Sequence, residues 1–213
     1  MIALSHLYSM TLQKYYIIDN FYPNINYVRE LAVASVYELK SSGYNWVGQS
    51  TKNKYFLPNF ETYLTERLGF LLRKHNPMLN GFFRRSYEND LPKVCAHTDT
   101  VTGSNIKIFD SNVTYFTGIL YLSLPEYCKD KIGTYLYKHK PTGKMCVENY
   151  NDLIVSKKDA HDKNAWEITD SIEMVYNRLL LINADYFHNP GDSFGDNEIN
   201  CTYKQIFSLV NFR

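Results

Sequence analysis

The sequence is short of most features that announce a function. Its four cysteines, Cys95, Cys128, Cys146 and Cys201, form no CxxC pair, which excludes the common zinc-ribbon and thioredoxin-type spacings. They read instead as reduced thiols of a cytoplasmic chain. No apolar run approaches the ~20 residues that a membrane helix needs. The opening MIALSHLYSMTLQKYY has no basic segment followed by a sustained apolar stretch, so neither a leader nor a membrane partner is expected. Glycine-rich phosphate loops, a GxSxG elbow and internal repeats are all missing. A formal net charge of only +1 lacks the basic surplus of a dedicated nucleic-acid binder. The partner expected is therefore a small molecule or a peptide, with nucleic acid disfavoured.

What the chain does have is an ordinary globular balance and many tyrosines. Of 213 residues, 45% are hydrophobic and 21% charged, enough to bury a core, and Tyr (19) with Phe (12) suits half-buried strands and pocket walls. The length points to one domain, with residues 1–78 as a helical N-terminal support and 79–213 as a β core. Segment 14–19 reads as an opening strand. Ile25, Val28, Leu31, Ala32, Val36 and Leu39 recur at helical spacing between a cap at Asn24 and a stop at Gly43. Residues 44–58 read as a loop. Phe60, Tyr63, Leu64, Leu68, Leu71 and Leu72 predict a second helix over 59–74. From residue 80 onward short β runs take over, at 80–88, 93–97, 115–123, 133–139, 166–176, 178–184 and 201–212, with a helical turn near 148–156. Short strands separated by Gly, Pro, Asn and Asp predict an all-β sandwich or barrel, not alternating βαβ units.

One constellation in this β region can carry chemistry. Cys95-Ala96-His97-Thr98-Asp99 holds a His-x-Asp pair, and residues i and i+2 of an extended strand point to the same side. His188 lies far downstream, just past the hydrophobic run Arg178–Asn183. Two imidazoles and one carboxylate on one face leave three positions open on iron(II), enough for a bidentate cosubstrate and O2. The ligand types alone leave zinc-dependent hydrolysis open as well. Asn183 and Asp185 are candidates to orient His188, or else turn residues. His139, which borders the GTYLY run, and His6, His75 and His161 are expected to be solvated.

In order, Tyr87, His97-x-Asp99, GTYLY, NRLLLINADYFH ending at His188, and a final strand YKQIFSLVNF resemble the iron(II)/2-oxoglutarate-dependent oxygenases, in particular their prolyl-hydroxylase-like branch. The resemblance covers about residues 80–212. It implies a mainly β fold, a double-stranded β-helix or cupin-like jelly roll, with supporting N-terminal helices. It also implies that His97, Asp99 and His188 bind Fe(II), and that 2-oxoglutarate is converted with O2 to succinate and CO2 while a C–H bond of a second substrate is hydroxylated. The family usually holds the distal carboxylate with an Arg or Lys on the strand after the second histidine. Here that strand offers Lys204, with Thr202, Ile206 and Ser208 on the same face, so Lys204, Thr202 and Tyr87 are the expected cosubstrate residues. The usual arginine is absent there. Arg84 and Arg85 straddle the two faces of an earlier strand, and one of them can reach substrate or cosubstrate. Loops 44–58 and 100–114 have a composition suited to a lid. A base-oxidising relative and a non-catalytic jelly-roll binding module are the competing readings. An exposed edge strand offers a route to a homodimer.

Overall fold

The computed structural model describes residues 13–39, 47–75, 80–91, 94–100 and 112–212. Among these residues eleven strands and four α-helices follow in the order β1 (Tyr15–Ile18), α1 (Ile25–Ala34), β2 (Tyr37–Leu39), β3 (Gln49–Lys54), α2 (Phe60–Leu68), β4 (Arg73–Lys74), β5 (Phe82–Ser86), β6 (Val113–Tyr121), α3 (Pro125–Cys128), β7 (Ile132–His139), α4 (Tyr150–Lys158), β8 (Trp166–Glu173), β9 (Leu179–Asn183), β10 (His188–Pro190) and β11 (Thr202–Phe212). The protein is mainly β, and every strand pair among the described residues is antiparallel. A large sheet runs β1-β9-β6-β11-β5-β3-β2, with β4 also on β11, and a small sheet runs β10-β7-β8.

Alternation along the strands assigns each face of the large sheet a neighbour. Phe116 and Leu120 of β6, Leu179 and Leu181 of β9, and Tyr203, Phe207 and Leu209 of β11 pack with Val28 and Ala32 of α1 and Phe60 and Leu64 of α2. The intervening residues, Ile119, Tyr121, Leu180, Ile182 and Ile206, pack with Leu136 and Ile172 of the small sheet. β9 is therefore covered on both sides. That is why LLLIN is a continuous apolar run and not an alternating one. A third cluster, Ala96, Val147, Leu153, Ala165, Trp166 and Phe187, packs α4 near the segment that leads into His97.

The helices are shorter than the sequence pattern predicts. α1 ends at Ala34, and Ser35 turns into an extended conformation while its hydroxyl donates to the Leu31 carbonyl. Tyr37 and Leu39, read as the end of that helix, pair with β3 instead. Asn24 caps the helix position without a side-chain bond, and Gly43 lies outside the described residues. α2 stops at Gly69, whose φ of +75° places it in the left-handed region that only glycine enters without strain. β3 occupies part of the 44–58 segment expected to be a loop, because β5 offers it an edge to pair with. The N-terminal part thus contributes β1–β4 as well as helices. Of the strand expected over 93–97, residue 93 lies outside the described residues, 94–97 form no strand, and His97 makes only an isolated bridge. Of the expected lid segments, 44–46 and 101–111 lie outside the described residues. All four cysteines are free, with Cys128 and Cys201 buried. Among the described residues no helix is long and apolar enough to cross a membrane.

Leu181 lies fully buried between α1, α2 and the large sheet. Leu181→Ala should cost about 2–5 kcal/mol of unfolding free energy. Urea titration followed by circular dichroism checks it.

Candidate metal centre

The site begins with the backbone. His97 and His188 stand opposite one another as a hydrogen-bonded pair, each N–H donating to the other's carbonyl at 3.0 and 2.8 Å. Asp99 N–H then donates to the Ala184 carbonyl. The segment 97–99 is thereby laid antiparallel along 184–188 and extends the small sheet beyond β10. Residues directly opposite in such a pair project to the same face. The two imidazoles stand with centroids 4.6 Å apart, and Asp99, two residues on, joins them.

One donor atom from each of His97, Asp99 and His188 lies within 4.8 Å of the others. His97 Nε2 is 3.7 Å from Asp99 Oδ1, and His188 Nε2 is 3.4 Å from Asp99 Oδ2. Two donors each ~2.1 Å from one ion and at right angles stand about 3 Å apart, so the spacing suits a shared cation. The surroundings aim the donors. Tyr186 carbonyl lies 2.9 Å from His188 Nδ1, so that nitrogen holds the proton and Nε2 is left with its lone pair. Thr117 of β6 donates its hydroxyl to Asp99 Oδ2. His97 Nδ1 is buried with no hydrogen-bond partner among the described residues.

Electrostatics agree with a ligand set. Burial, assisted by neighbouring His188 and Arg84, pushes His97 down to about 4, so it is neutral at physiological pH. Burial alone would raise the Asp99 carboxyl. His188, His97 and the Thr117 hydroxyl overcome that and hold it well below its ordinary value. Burial opposes protonation of His188 too, but the Asp99 carboxylate raises it. Asp99 keeps 31% of its side chain exposed against 4% for His188, so the site opens on the carboxylate side.

The cosubstrate residues expected from the sequence separate. Lys204 lies on the face of β11 that looks toward the small sheet, donates to the Gly133 carbonyl at 3.3 Å and sits over the Tyr121 ring. Along β11 it is four residues, about 13 Å, from Ser208, which is paired with Thr117 beside Asp99. Thr202 shares its face, but its hydroxyl accepts the Phe194 N–H and fastens the preceding loop. Tyr87 is not with the triad. Three residues beyond Arg84, an odd step, it falls on the helix side of the sheet, beside Arg85 and against the first core cluster. Arg84, opposite Lys204, shares the Lys204 face, whereas Arg85 bonds Gln49 and Glu198 on the other.

Asn183 and Asp185 lie in the turn that precedes His188. Asn183 Oδ1 accepts the Asp185 N–H and Asp185 takes the Thr100 hydroxyl, so both shape the turn before it. His139, expected to be solvated, is fully buried between Trp166 and Phe187, with its ring nitrogens facing Thr142 and Asp159. His75 lies against the Tyr115 ring, and His6 is outside the described residues. Sequence reasoning missed Thr117, Tyr121 and Thr134. The alternation in YFTGILY, which sets 117, 119 and 121 on one face, was the available signal for the first two.

No protein-family model matches the sequence, and no curated protein matches it. Solved structures do. HygX from Streptomyces hygroscopicus, with nickel and 2-oxoglutarate bound, is 11% identical at a TM-score of 0.51, over 98% of this chain and 87% of that one. A second HygX structure, with nickel, 2-oxoglutarate and hygromycin B bound, gives 12% identity with the same TM-score and coverage. SnoN, a non-heme alpha ketoglutarate dependent epimerase from nogalamycin biosynthesis, is 12% identical at a TM-score of 0.45, over 92% of this chain and 76% of that chain. At such identities the HygX likeness is one of fold.

Two measurements check the site. Thr117→Val, nearly isosteric, should weaken divalent-metal affinity about tenfold without changing the fold, because it frees the Asp99 carboxylate to rotate. Titration calorimetry with Mn(II) reads it. Metal affinity should also fall as pH drops through the raised His188 pKa, since binding needs the neutral ring. An affinity flat down to pH 5 would contradict the ligand role of His188.

Proposed function

We propose that the chain is an iron(II)- and 2-oxoglutarate-dependent dioxygenase built on a double-stranded β-helix, hydroxylating a small molecule or a peptide side chain. The observation that carries this reading is the placement of Lys204 on the interior face of the strand whose Ser208 neighbours Thr117, the residue that holds Asp99. A three-donor cluster alone suits several metals. A cluster with a cation at the far end of one inward strand face suits a metal that shares a bidentate, tailed acid. The fold likeness to HygX, crystallised with nickel and 2-oxoglutarate, supports the same reading. The free cysteines are consistent with a cytoplasmic setting.

The residues present fit iron(II). His97, Asp99 and His188 would hold it, and the facial arrangement of two imidazoles and one carboxylate leaves coordination positions for the cosubstrate and O2. When bound, the iron supplies the redox chemistry that couples decarboxylation of 2-oxoglutarate to C–H oxidation. The chain's own task is positional. Tyr186 fixes the His188 tautomer, and Thr117 occupies Oδ2 of Asp99 so that Oδ1 is the freer oxygen. Ile119, Leu136 and Ile206 pack between the sheets and would keep water from the cosubstrate chain. Lys204 would receive the distal carboxylate as a point charge.

Anaerobic titration with iron(II) and 2-oxoglutarate should produce a metal-to-cosubstrate charge-transfer band, and air should release succinate without added substrate. His97→Ala and Asp99→Ala should each lose iron binding while keeping the parent circular dichroism spectrum. Absence of both band and succinate from the parent protein would sink the oxygenase reading.

A further inference from the structure

Past the triad, on the side away from Lys204, the interior face of the large sheet ends in rings. β6 runs from Thr117 back to Tyr115, two residues and about 7 Å along the strand, on the same face. Tyr115 is paired with Val210 of β11, which is buried. His75 directly follows β4. Lys74 pairs with Leu209 and lies over the Phe56 ring on the helix side, so the next residue turns inward, and its N–H donates to the Ser208 carbonyl. From there the His75 ring reaches across β11 to Tyr115, with centroids 4.6 Å apart and an interplanar angle of 53°. His75 is exposed and Tyr115 half-buried, so the ring pair borders solvent.

Position and chemistry both bear on a substrate. The cosubstrate reading puts 2-oxoglutarate between the metal ligands and Lys204, which leaves the His75 and Tyr115 side for the molecule to be oxidised. Asp99, the most exposed of the three ligands, is bonded to Thr117, one row from Tyr115. The floor there is an imidazole, a valine and a phenol. Partial burial lowers the His75 pKa, so its ring is uncharged at physiological pH and gives no ion pair to an anionic group. A sugar would need polar partners for its hydroxyls, and the Thr117 hydroxyl beside the floor is committed to Asp99. A flat unsaturated ring instead continues the tilted pair, edge to face or offset against the imidazole.

We propose that His75 and Tyr115 form the shelf on which the primary substrate rests, and that this substrate is a small molecule presenting a flat, uncharged aromatic ring. The inference rests on the oxygenase reading above and narrows its substrate class. A ring on the shelf would direct a carbon attached to it toward Asp99 and leave the Lys204 end to the cosubstrate.

The probes are benzyl alcohol and cyclohexylmethanol, which share a carbon skeleton but differ in a flat against a saturated ring. Proton NMR on the protein loaded with Zn(II) and 2-oxoglutarate reads their binding. Benzyl alcohol should move the His75 imidazole resonances, assigned by their loss in His75→Phe, and should bind more tightly than cyclohexylmethanol. His75→Ala should weaken benzyl alcohol about 2- to 10-fold, the weight of one aromatic pair, whereas His75→Phe should retain it. With iron(II), 2-oxoglutarate and air, benzyl alcohol should raise succinate release by the parent above that seen with cyclohexylmethanol. Absent binding of benzyl alcohol, equal affinity for the two alcohols, or unchanged benzyl alcohol affinity in both His75→Ala and Tyr115→Leu overturns the shelf. A parent that binds benzyl alcohol at His75 but gives neither charge-transfer band nor succinate overturns the oxygenase reading, and with it the substrate assignment, a distinct result.

Discussion

The candidate site depends on the reciprocal pair of backbone hydrogen bonds between His97 and His188. Neither bond belongs to a long ladder. The first-ligand segment has no strand of its own, and it is held by this bridge, by Asp99 N–H on Ala184, by Cys95 N–H on Ala160 and by the Asn189 side chain on the Val94 carbonyl. The cost of ordering a loop is thus met by anchoring it to the strand that carries His188. The two imidazoles then have little freedom to separate. Second-ligand strand β10 is in turn registered on β7, with His188 opposite Leu136 of the inter-sheet core. Packing between the sheets and donor geometry are therefore coupled through a single residue pair.

From that fixed point the interior is graded. Following β11 and β6 away from the triad, the paired rows pass from Ser208 and Thr117, through Ile206 and Ile119, to Lys204 and Tyr121. Polar, apolar and cationic rows succeed one another at the strand's two-residue repeat. The apolar row lowers the local dielectric and strengthens the charges on either side of it. Gly133 keeps the small sheet close to the cationic row, because a Cβ there would run into the Tyr121 ring. The opposite face of the same strands is spent on α1 and α2, so one set of strands serves a structural core and a chemical one.

Much of this was legible in the sequence, and the failures have physical reasons. The late strands β6, β7, β8, β9 and β11 could be read because aromatic and β-branched runs are bounded by turn residues. His97, Asp99 and His188 emerged from type and order, and the fold brings them together. β2, β3 and β4 were not readable, since YEL, QSTKNK and RK carry little apolar signal and exist because a sheet edge accepts them. Tyr87 was drawn toward the site by resemblance, whereas counting from Arg84 sends it to the other face. His139 was misjudged because a polar neighbourhood in sequence gave no hint of Trp166 and Phe187 above its ring. Thr117 and the Tyr186 carbonyl act on the ligands across the fold, and such contacts have no local signature.

The position of β11 has a consequence for how the molecule is assembled. This strand follows all the other described strands, yet it lies in the middle of the large sheet, flanked by β6 on one side and by β5 and β4 on the other. β1, the first strand described, waits for β9. Pairings of such sequence separation make for slow folding, because loop closure must be completed before contact energy is returned. During synthesis the early strands stand with open edges until β11 inserts between them. Until then those edges are open to pairing with other chains, and β11 acts as the latch of the large sheet.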